Sequence, residues 1–220
     1  DKIVEAALKT NVRLQTTRTL MNTSDFKEDL KRIDELDELI NKYKNNETIT
    51  FNAGIHGLYT TTREYIKECI RYAKGKNLLV HMHYCENSGE VIDIKRIYGE
   101  NPIDVLEKEF SNTNLLLAHA VKLTDSDIEK LSNMKNVSIS HCPISNLKLG
   151  CGIAKIKDFI ENGINVSLGT DGQGSGNNLD MFSTMAFTAL LQKGINEDAT
   201  LLPAYDVIKM ATINGAKALK

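Results

Sequence analysis

Four short apolar runs along the chain each end in a histidine or an acidic residue. They read LLVHMHYCE (78–86), NLLLAHAV (114–121), NVSISHCP (136–143) and NVSLGTD (165–171). Runs this apolar are typical of strands that are buried on both faces of a parallel sheet, where helices cover the outside. Because the active site of a parallel barrel lies at the C-terminal ends of its strands, we expect the polar tips to converge. These tips are His83, Glu86, His119, His141 and Asp171.

Helical patterns alternate with the strands. Two more strands are predicted over 12–17 and 48–55, and the segments 86–101 and 142–152 are interpreted as loops. Ser24 is the predicted N-cap of a helix that runs to Tyr43, and Thr61 with Glu64 predicts a capping box. Further helices are predicted over 62–74, 102–110, 125–134, 153–162, within 179–193, and over about 203–219. Six strand–helix units at this spacing indicate a parallel sheet with right-handed crossovers.

Six units do not complete a closed barrel, which needs eight strands and about 250 residues. The pattern therefore fits either part of a barrel or an open doubly wound sheet. An open sheet predicts a glycine-rich phosphate loop after an early strand. The candidates GTDGQGSG (169–176) and NLKLGCG (146–152) come late and match neither dinucleotide nor P-loop spacing. A partial barrel is the better interpretation.

Composition narrows the class of protein. With 220 residues, 41% of them hydrophobic and 25% charged, the chain is expected to form one domain over residues 1–220. A net charge of −2 without a basic stripe argues against nucleic acid as a partner, and no apolar run approaches the ~20 residues of a membrane span. The opening DKIVEAALKT has no signal-peptide core. Four cysteines without paired spacing indicate reduced thiols and a cytoplasmic location.

Four motifs resemble the amidohydrolase superfamily, specifically its chlorohydrolase-like branch that includes 5′-methylthioadenosine/S-adenosylhomocysteine deaminases. They are HMHYCENSGEV, LLLAHAVKLT, SHCPISNLKLGCGIA and LGTDGQGSGNNLDMF, in the family's order. The resemblance runs from about Val12 to Ala218. Family members carry a His-x-His pair on the first barrel strand and a small β-sandwich, and this sequence has neither. The resemblance therefore implies an α/β fold, a partial (β/α)₈ TIM-type barrel of about strands three to eight with their helices.

The resemblance also implies a chemistry, the hydrolytic deamination of an adenine nucleoside by metal-activated hydroxide with release of ammonia. A divalent metal ion lowers the pKa of bound water to about 7, which makes hydroxide available at neutral pH. By resemblance His83 and Asp171 bind one such ion, most simply Zn²⁺, with Fe²⁺ and Mn²⁺ as alternatives. Glu86 resembles the proton shuttle that also bonds the ring nitrogen, and His119 resembles the histidine that orients the hydroxide. Asp171 resembles the acceptor of the water proton.

Three more residues resemble substrate contacts: His56, Arg18 and Ser175. His141 is interpreted as support near the metal. Other readings stay open, because Arg18 is equally consistent with a surface salt bridge and Asp171 with a turn. Lys122 stands where the family often has a second histidine, and no second arginine follows Arg18. The departures make adenine-type deamination in general a firmer expectation than S-adenosylhomocysteine as the substrate.

Two alternatives remain from the sequence. One is another amidohydrolase-type C–N or C–Cl hydrolase, with a guanine, pyrimidine or triazine substrate. The other is an inactive scaffold, because His83 and Asp171 alone are too few ligands for a zinc site. In that case the isolated chain either self-associates through exposed barrel edges or holds its metal site empty. One tightly bound zinc ion per monomer would contradict it.

Overall fold

Five parallel strands form the central sheet of the computed structural model, which describes residues 2–23 and 25–220. The strands are β1 (Leu14–Thr16), β2 (Ile49–Phe51), β3 (Ala53–Gly57), β4 (Val80–Tyr84), β5 (Leu115–His119), β6 (Val137–His141) and β7 (Asn165–Leu168). The sheet runs β3-β4-β5-β6-β7, and β1 pairs with β2 in a separate two-stranded parallel sheet. An isolated parallel β-bridge between Leu20 and Ile55 places a sixth segment of the chain beside β3. The strands thus follow chain order across the sheet, as in the wall of a barrel.

Helices connect the strands and cover the sheet. They are α1 (Lys2–Thr10), α2 (Phe26–Tyr43), α3 (Arg63–Gly75), α4 (Ser88–Tyr98), α5 (Pro102–Glu109), α6 (Asp125–Asn133), α7 (Pro143–Lys148), α8 (Ile156–Glu161), α9 (Gln173–Gly176), α10 (Met181–Asn196), α11 (Ala204–Ala211) and α12 (Ile213–Leu219). Parallel strands in chain order with helices between them confirm the predicted partial (β/α)₈ architecture. Among the helices of the described residues, none combines the length and the apolar character of a membrane span.

The register of the sheet aligns the apolar runs. Met82 lies opposite Leu117, Leu117 opposite Ile139, and Ile139 opposite Val166, and all four side chains are buried. Every residue of β5 is buried. Each large apolar side chain contributes about 1.5 to 3 kcal/mol when it is removed from water. The apolar runs are therefore the centre of the core, which confirms that these strands are buried.

The predicted strand over 48–55 is two strands, because the chain changes partners within it. The N–H of Asn52 donates to the Thr16 carbonyl at 2.9 Å, whereas the N–H of Ala53 donates to the Leu79 carbonyl at 2.8 Å. The first half pairs with β1 and the second half enters the central sheet. The prediction of one continuous strand was wrong.

Local capping also differs from the prediction. Thr62, not Thr61, is the N-cap of α3, and its side chain accepts a hydrogen bond from the N–H of Tyr65. The Thr61 hydroxyl is buried and donates to the Gly57 carbonyl at 2.9 Å. The predicted N-cap Ser24 lies outside the described residues; Asp25 is the residue whose side chain caps α2.

Several predicted loops contain helices. The segment 86–101 holds α4, which Asn87 caps and Gly99 ends with a φ of 70° in the left-handed region. The segment 142–152 holds the short helix α7, with Pro143 in its first turn. The predicted helix over 203–219 is divided at Thr212 into α11 and α12.

A buried carboxylate holds the start of α2. Asp29 accepts hydrogen bonds from the Thr23 N–H at 2.8 Å, the Thr23 hydroxyl at 2.8 Å and the Asn22 side chain at 2.9 Å. Burial raises the pKa of Asp29, but these donors stabilise the anion and hold the pKa below its ordinary value of 3.8. Asn22 also accepts the Thr62 N–H at 2.5 Å, so the cluster links α2 to α3.

We expect Asp29→Asn to lower the free energy of unfolding by about 1 to 3 kcal/mol at pH 7, because one amide oxygen replaces two carboxylate acceptors. The folded pKa is below the unfolded one, so the carboxylate's contribution is complete above the unfolded value and is lost as pH falls through the folded value. Urea unfolding at pH 7 and pH 3 measures the difference in the free energy of unfolding between the variant and the parent. The exposed Asp34→Asn on the same helix is the control. A difference between the variant and the parent that does not shrink at pH 3 would contradict the assignment.

Candidate active site

The strand ends that carry the predicted site residues share an unusual backbone conformation. Cys85 (φ 50°), His119 (φ 75°), Ala120 (φ 51°) and Asp171 (φ 60°) all lie in the left-handed region. This conformation costs a residue with a Cβ atom roughly 1 to 2 kcal/mol, so surrounding contacts must hold it. Those contacts decide where the site side chains point.

Glu90, in the first turn of α4, holds the turn that follows β4. Its buried carboxylate accepts the N–H of Cys85 and the N–H of Glu86, each at 2.8 Å. Burial raises the pKa of Glu90, and these two hydrogen bonds oppose the rise. The clamp fixes the main chain of Glu86 at the end of the strand.

Three histidine rings lie next to one another above β3, β4 and β5. The ring of His83 is 4.9 Å from that of His56 and 5.5 Å from that of His119 between centroids. His83 Nδ1 lies 2.6 Å from the His56 carbonyl, which can only accept, so Nδ1 carries the proton. The neutral ring of His83 therefore keeps its lone pair on Nε2.

Glu86, His119 and Asp171 form a compact group of possible ligands. One donor atom from each lies within 4.8 Å of the others. His119 Nδ1 is 3.9 Å from Glu86 Oε1, and His119 is almost fully buried. Three residues separated by 33 and 52 positions in the sequence thus meet at one edge of the sheet.

The carboxylate of Asp171 is held in its ionised form. Ser145 Oγ donates to Oδ2 at 2.6 Å, and the Gly172 N–H donates to Oδ1 at 2.6 Å. Burial raises the pKa of Asp171, but the hydrogen bonds from Ser145, Ser175 and Gly172 and the nearby His119 lower it below its ordinary value. An ionised carboxylate is what a metal ligand requires.

A cavity of about 430 Å³ opens at this edge. Its volume lies within the range of small-ligand sites. The lining comprises Thr17, Thr19, Gly54, Ile55, His56, His81, Met82, His83, Ala118, His119, Ser140, Cys142, Gly169, Thr170 and Asp171. Four of the predicted site residues therefore face one cavity: His56, His83, His119 and Asp171.

Comparison with known proteins assigns the chain to a family. The sequence matches the amidohydrolase family over residues 1–220. The chain belongs to the amidohydrolase family. This confirms the resemblance that the four motifs indicate.

The amidohydrolase is similar to several proteins that are named as deaminases. It is 36% identical to a 5-methylthioadenosine/S-adenosylhomocysteine deaminase of Bacillus cytotoxicus, over 100% of this chain and 51% of the relative. The crystal structure of an adenosine deaminase from Xanthomonas campestris with bound zinc has a TM-score of 0.87 and 29% identity, over 99% of this chain and 50% of that one. The E. coli guanine deaminase has a TM-score of 0.86 and 28% identity, over 98% and 51%. The chain spans about half the length of the curated relatives it matches.

The residues at the amidohydrolase site fit a divalent metal ion. The set offers imidazole nitrogens and carboxylate oxygens, which suit zinc. The proton on His83 Nδ1 leaves Nε2 as the ring nitrogen that can bind a metal, and the hydrogen bonds to Asp171 favour its ionised form. Of the two ligands that the sequence predicts, Asp171 belongs to the compact group with Glu86 and His119, whereas His83 lies outside that group.

The remaining predicted site residues do not belong to the group formed by Glu86, His119 and Asp171. They are His56, Arg18, Ser175 and His141. His56 Nδ1 is 3.0 Å from the Thr60 hydroxyl, and burial followed by the proximity of His83 lowers the pKa of His56. Arg18 forms an ion pair with Glu35 on α2 at 2.5 Å, between the cavity-lining Thr17 and Thr19. Ser175 and His141 have different surroundings.

Ser175 donates to the Gly172 carbonyl at 3.2 Å and also bonds Asp171. His141 is fully buried at the end of β6, and burial lowers its pKa to about 3. Among the described residues neither ring nitrogen of His141 has a hydrogen-bond partner. Its support of the metal stays a prediction.

Two contacts at the site escape sequence reasoning. Glu90 belongs to a segment interpreted as a loop, and only its position four residues after Glu86 hints at an i to i+4 contact. Cys151 Sγ lies 3.8 Å from Glu86 Oε1, across 65 residues of sequence. A tertiary contact between residues this far apart cannot be predicted from a local sequence pattern.

Proposed function

We propose that this amidohydrolase is a metal-dependent hydrolytic deaminase of an adenine nucleoside such as 5′-methylthioadenosine, S-adenosylhomocysteine or adenosine. The observation that carries the proposal is the meeting of Glu86, His119 and Asp171 beside His83 at the edge of a cavity. The 36% identity to a relative with this activity supports the substrate class. Residues 1–220 form the catalytic domain in this proposal.

His83 and Asp171 would hold the metal ion, most simply Zn²⁺, with Fe²⁺ and Mn²⁺ as alternatives. When bound, the ion supplies hydroxide at neutral pH. Asp171 also accepts the proton of the attacking water. The hydrogen bonds from Ser145 and Gly172 keep its carboxylate ionised, as binding a cation requires.

Glu86 moves the proton. Its carboxyl group lies beside His119 and Asp171, which line the cavity, and in this proposal bonds a ring nitrogen of the purine. The attacking water supplies two protons: Glu86 passes one to the leaving amine, so that ammonia departs as a neutral molecule, and the one that Asp171 accepts ends as the ring N–H of the product. His119, 3.9 Å from Glu86, orients the nucleophile.

Substrate binding falls to the residues around the cavity mouth. His56 lines the cavity beside His83, and Ser175 lies in the loop after Asp171. Arg18 contacts the substrate in this proposal if its ion pair with Glu35 opens. His56, Arg18, Ser175 and Glu86 are therefore the proposed substrate contacts.

A second candidate function is deamination of guanine. The 28% identity and TM-score of 0.86 to E. coli guanine deaminase favour it. The two candidates use the same metal ligands and proton shuttle and differ in the purine base that the cavity accepts. Ammonia release measured across adenosine derivatives, guanine and pyrimidines separates them.

We expect Glu86→Gln in the zinc-loaded intact protein to lower kcat for ammonia release by about 10²- to 10⁴-fold, because an amide cannot carry the proton. Zinc content should stay at the parent level, since Glu86 is not assigned as a ligand. Asp171→Asn should lose both zinc and turnover, and the exposed Glu129→Gln is the control.

Normal turnover by Glu86→Gln would refute the deaminase mechanism. Loss of zinc from Glu86→Gln would instead make Glu86 a ligand and would refute the assigned roles. Inductively coupled plasma mass spectrometry on the same samples used for the assay gives both answers.

We further propose that two copies of the chain associate through α10, beside the edge strand β7. The buried face of α10 is polar, with Thr184, Thr188 and Gln192. Its outer face carries Phe182 and Leu190, which are 81% and 69% exposed. An exposed apolar stripe of this kind marks an interaction surface, and a two-fold axis lets the stripe cover itself.

Sedimentation velocity tests the association. The parent should sediment as a dimer or larger species, and the double substitution Phe182→Ser with Leu190→Ser should shift it to the monomer. Ile92→Ser, at an exposed apolar residue of α4, is the control and should leave the dimer intact. A monomeric parent at micromolar concentration would contradict the proposal.

The state of the four cysteine thiols is the basis for a proposal about the cellular location of the protein. Cys69, Cys85, Cys142 and Cys151 are all unpaired and buried. Burial raises the pKa of Cys69 and Cys142 to about 12, which keeps these two thiols protonated and unreactive. We propose a cytoplasmic location, and a fluorescent fusion observed outside the cytoplasm would contradict it.

A further inference from the structure

Two consecutive polar residues on α7, Ser145 and Asn146, lie beneath the site. Their side chains are 0% and 1% exposed. Successive residues on a helix point about 100° apart, so the two side chains reach different neighbours. A buried polar side chain is costly unless it is paired, so their partners matter.

The partner of Ser145 is Asp171. The serine hydroxyl donates to Oδ2 at 2.6 Å, because an ionised carboxylate can only accept. Oδ1 is occupied by the Gly172 N–H at 2.6 Å. Each carboxylate oxygen thus has a donor, Ser175 adds a further hydrogen bond, and the carboxylate plane cannot rotate without breaking the bonds from Ser145 and Gly172.

The partner of Asn146 is His119. Asn146 Oδ1 lies 2.8 Å from His119 Nδ1. A carbonyl oxygen at this position requires a proton on Nδ1, which leaves the lone pair of a neutral ring on Nε2. The opposite orientation of the amide would place the proton on Nε2, so the orientation of the amide selects the tautomer; among the described residues Asn146 Nδ2 has no hydrogen-bond partner.

The main chain of α7 does not depend on these side chains. The Asn146 N–H donates to the Cys142 carbonyl at 3.0 Å, and the Asn146 carbonyl accepts the Cys151 N–H at 2.7 Å. The Leu149 N–H donates to the Ser145 carbonyl at 2.9 Å. Truncation of either side chain leaves all three bonds in place.

We propose that Ser145 and Asn146 are positioning residues: Ser145 fixes the carboxylate of Asp171, and Asn146 fixes the tautomer and orientation of the His119 ring. The inference rests on the proposed function, since it states how two groups of the deaminase are held. Neither residue touches the substrate in this account. Both act through the groups they bond.

The tautomer of His119 is the direct readout for Asn146. In protein labelled with ¹⁵N-histidine, long-range ¹H–¹⁵N spectra should show His119 as the Nδ1–H form, with the signal assigned by its loss in His119→Gln. Asn146→Ala should convert it to a mixture of tautomers. Asn146→Asp keeps an acceptor oxygen and should retain the Nδ1–H form, and Asn52→Ala, at a buried asparagine away from the site, should have no effect.

The metal affinity is the direct readout for Ser145. We expect Ser145→Ala to weaken zinc binding by about 10- to 100-fold, as loss of a residue that orients a ligand does. Ser167→Ala, which removes a buried hydroxyl bonded to the Ile139 carbonyl, is the matched control. In the active enzyme Asn146→Ala should lower kcat by about 10- to 100-fold with little change in KM.

Three results would overturn the inference: an Nε2–H form of His119 in the parent, an unchanged tautomer in Asn146→Ala, or zinc binding by Ser145→Ala equal to that of Ser167→Ala. The tautomer and the zinc affinity do not require turnover. A parent that responds as expected in both and releases no ammonia would refute the deaminase function and still support the positioning roles.

Discussion

The parallel pairing of β3 to β7 in chain order is the constraint on which the site depends. Because each strand runs in the same direction, their C-terminal ends share one edge of the sheet. His83, Glu86, His119 and Asp171 each lie at or just after such an end. The buried row from Met82 to Val166 aligns the strands in register, and with them the strand ends that carry the site residues.

The site itself is held by buried hydrogen bonds that act against backbone strain. Three strands end in left-handed residues, and a polar side chain fixes a group beside each of these ends. Glu90 bonds the turn before Glu86, Asn146 bonds His119, and Ser145 bonds Asp171. Two of the three lie on the short helix α7, which connects β6 to the loop before α8. Rigid support of this kind is what electrostatic catalysis requires, because reacting groups must be aligned before the substrate arrives.

The apolar runs predict the strands well because a buried parallel strand leaves an unmistakable composition. The same logic locates the strand tips and hence most of the site. It fails where structure depends on partners distant in sequence. Nothing near Asn52 reveals that the chain leaves one sheet and enters another, and the short helices α4 and α7 carry the serine, glycine and proline residues of a loop. The contacts of Glu90, Cys151 and Asn146 with site residues are tertiary, so no periodicity reports them.

Zinc anomalous diffraction from crystals of the intact protein tests the central claim most directly. The account predicts one strong peak at the edge of the sheet, within about 2.0 to 2.2 Å of a ring nitrogen of His83 and of a carboxylate oxygen of Asp171. A zinc peak held elsewhere, or no peak between these two side chains at saturating zinc, would contradict it.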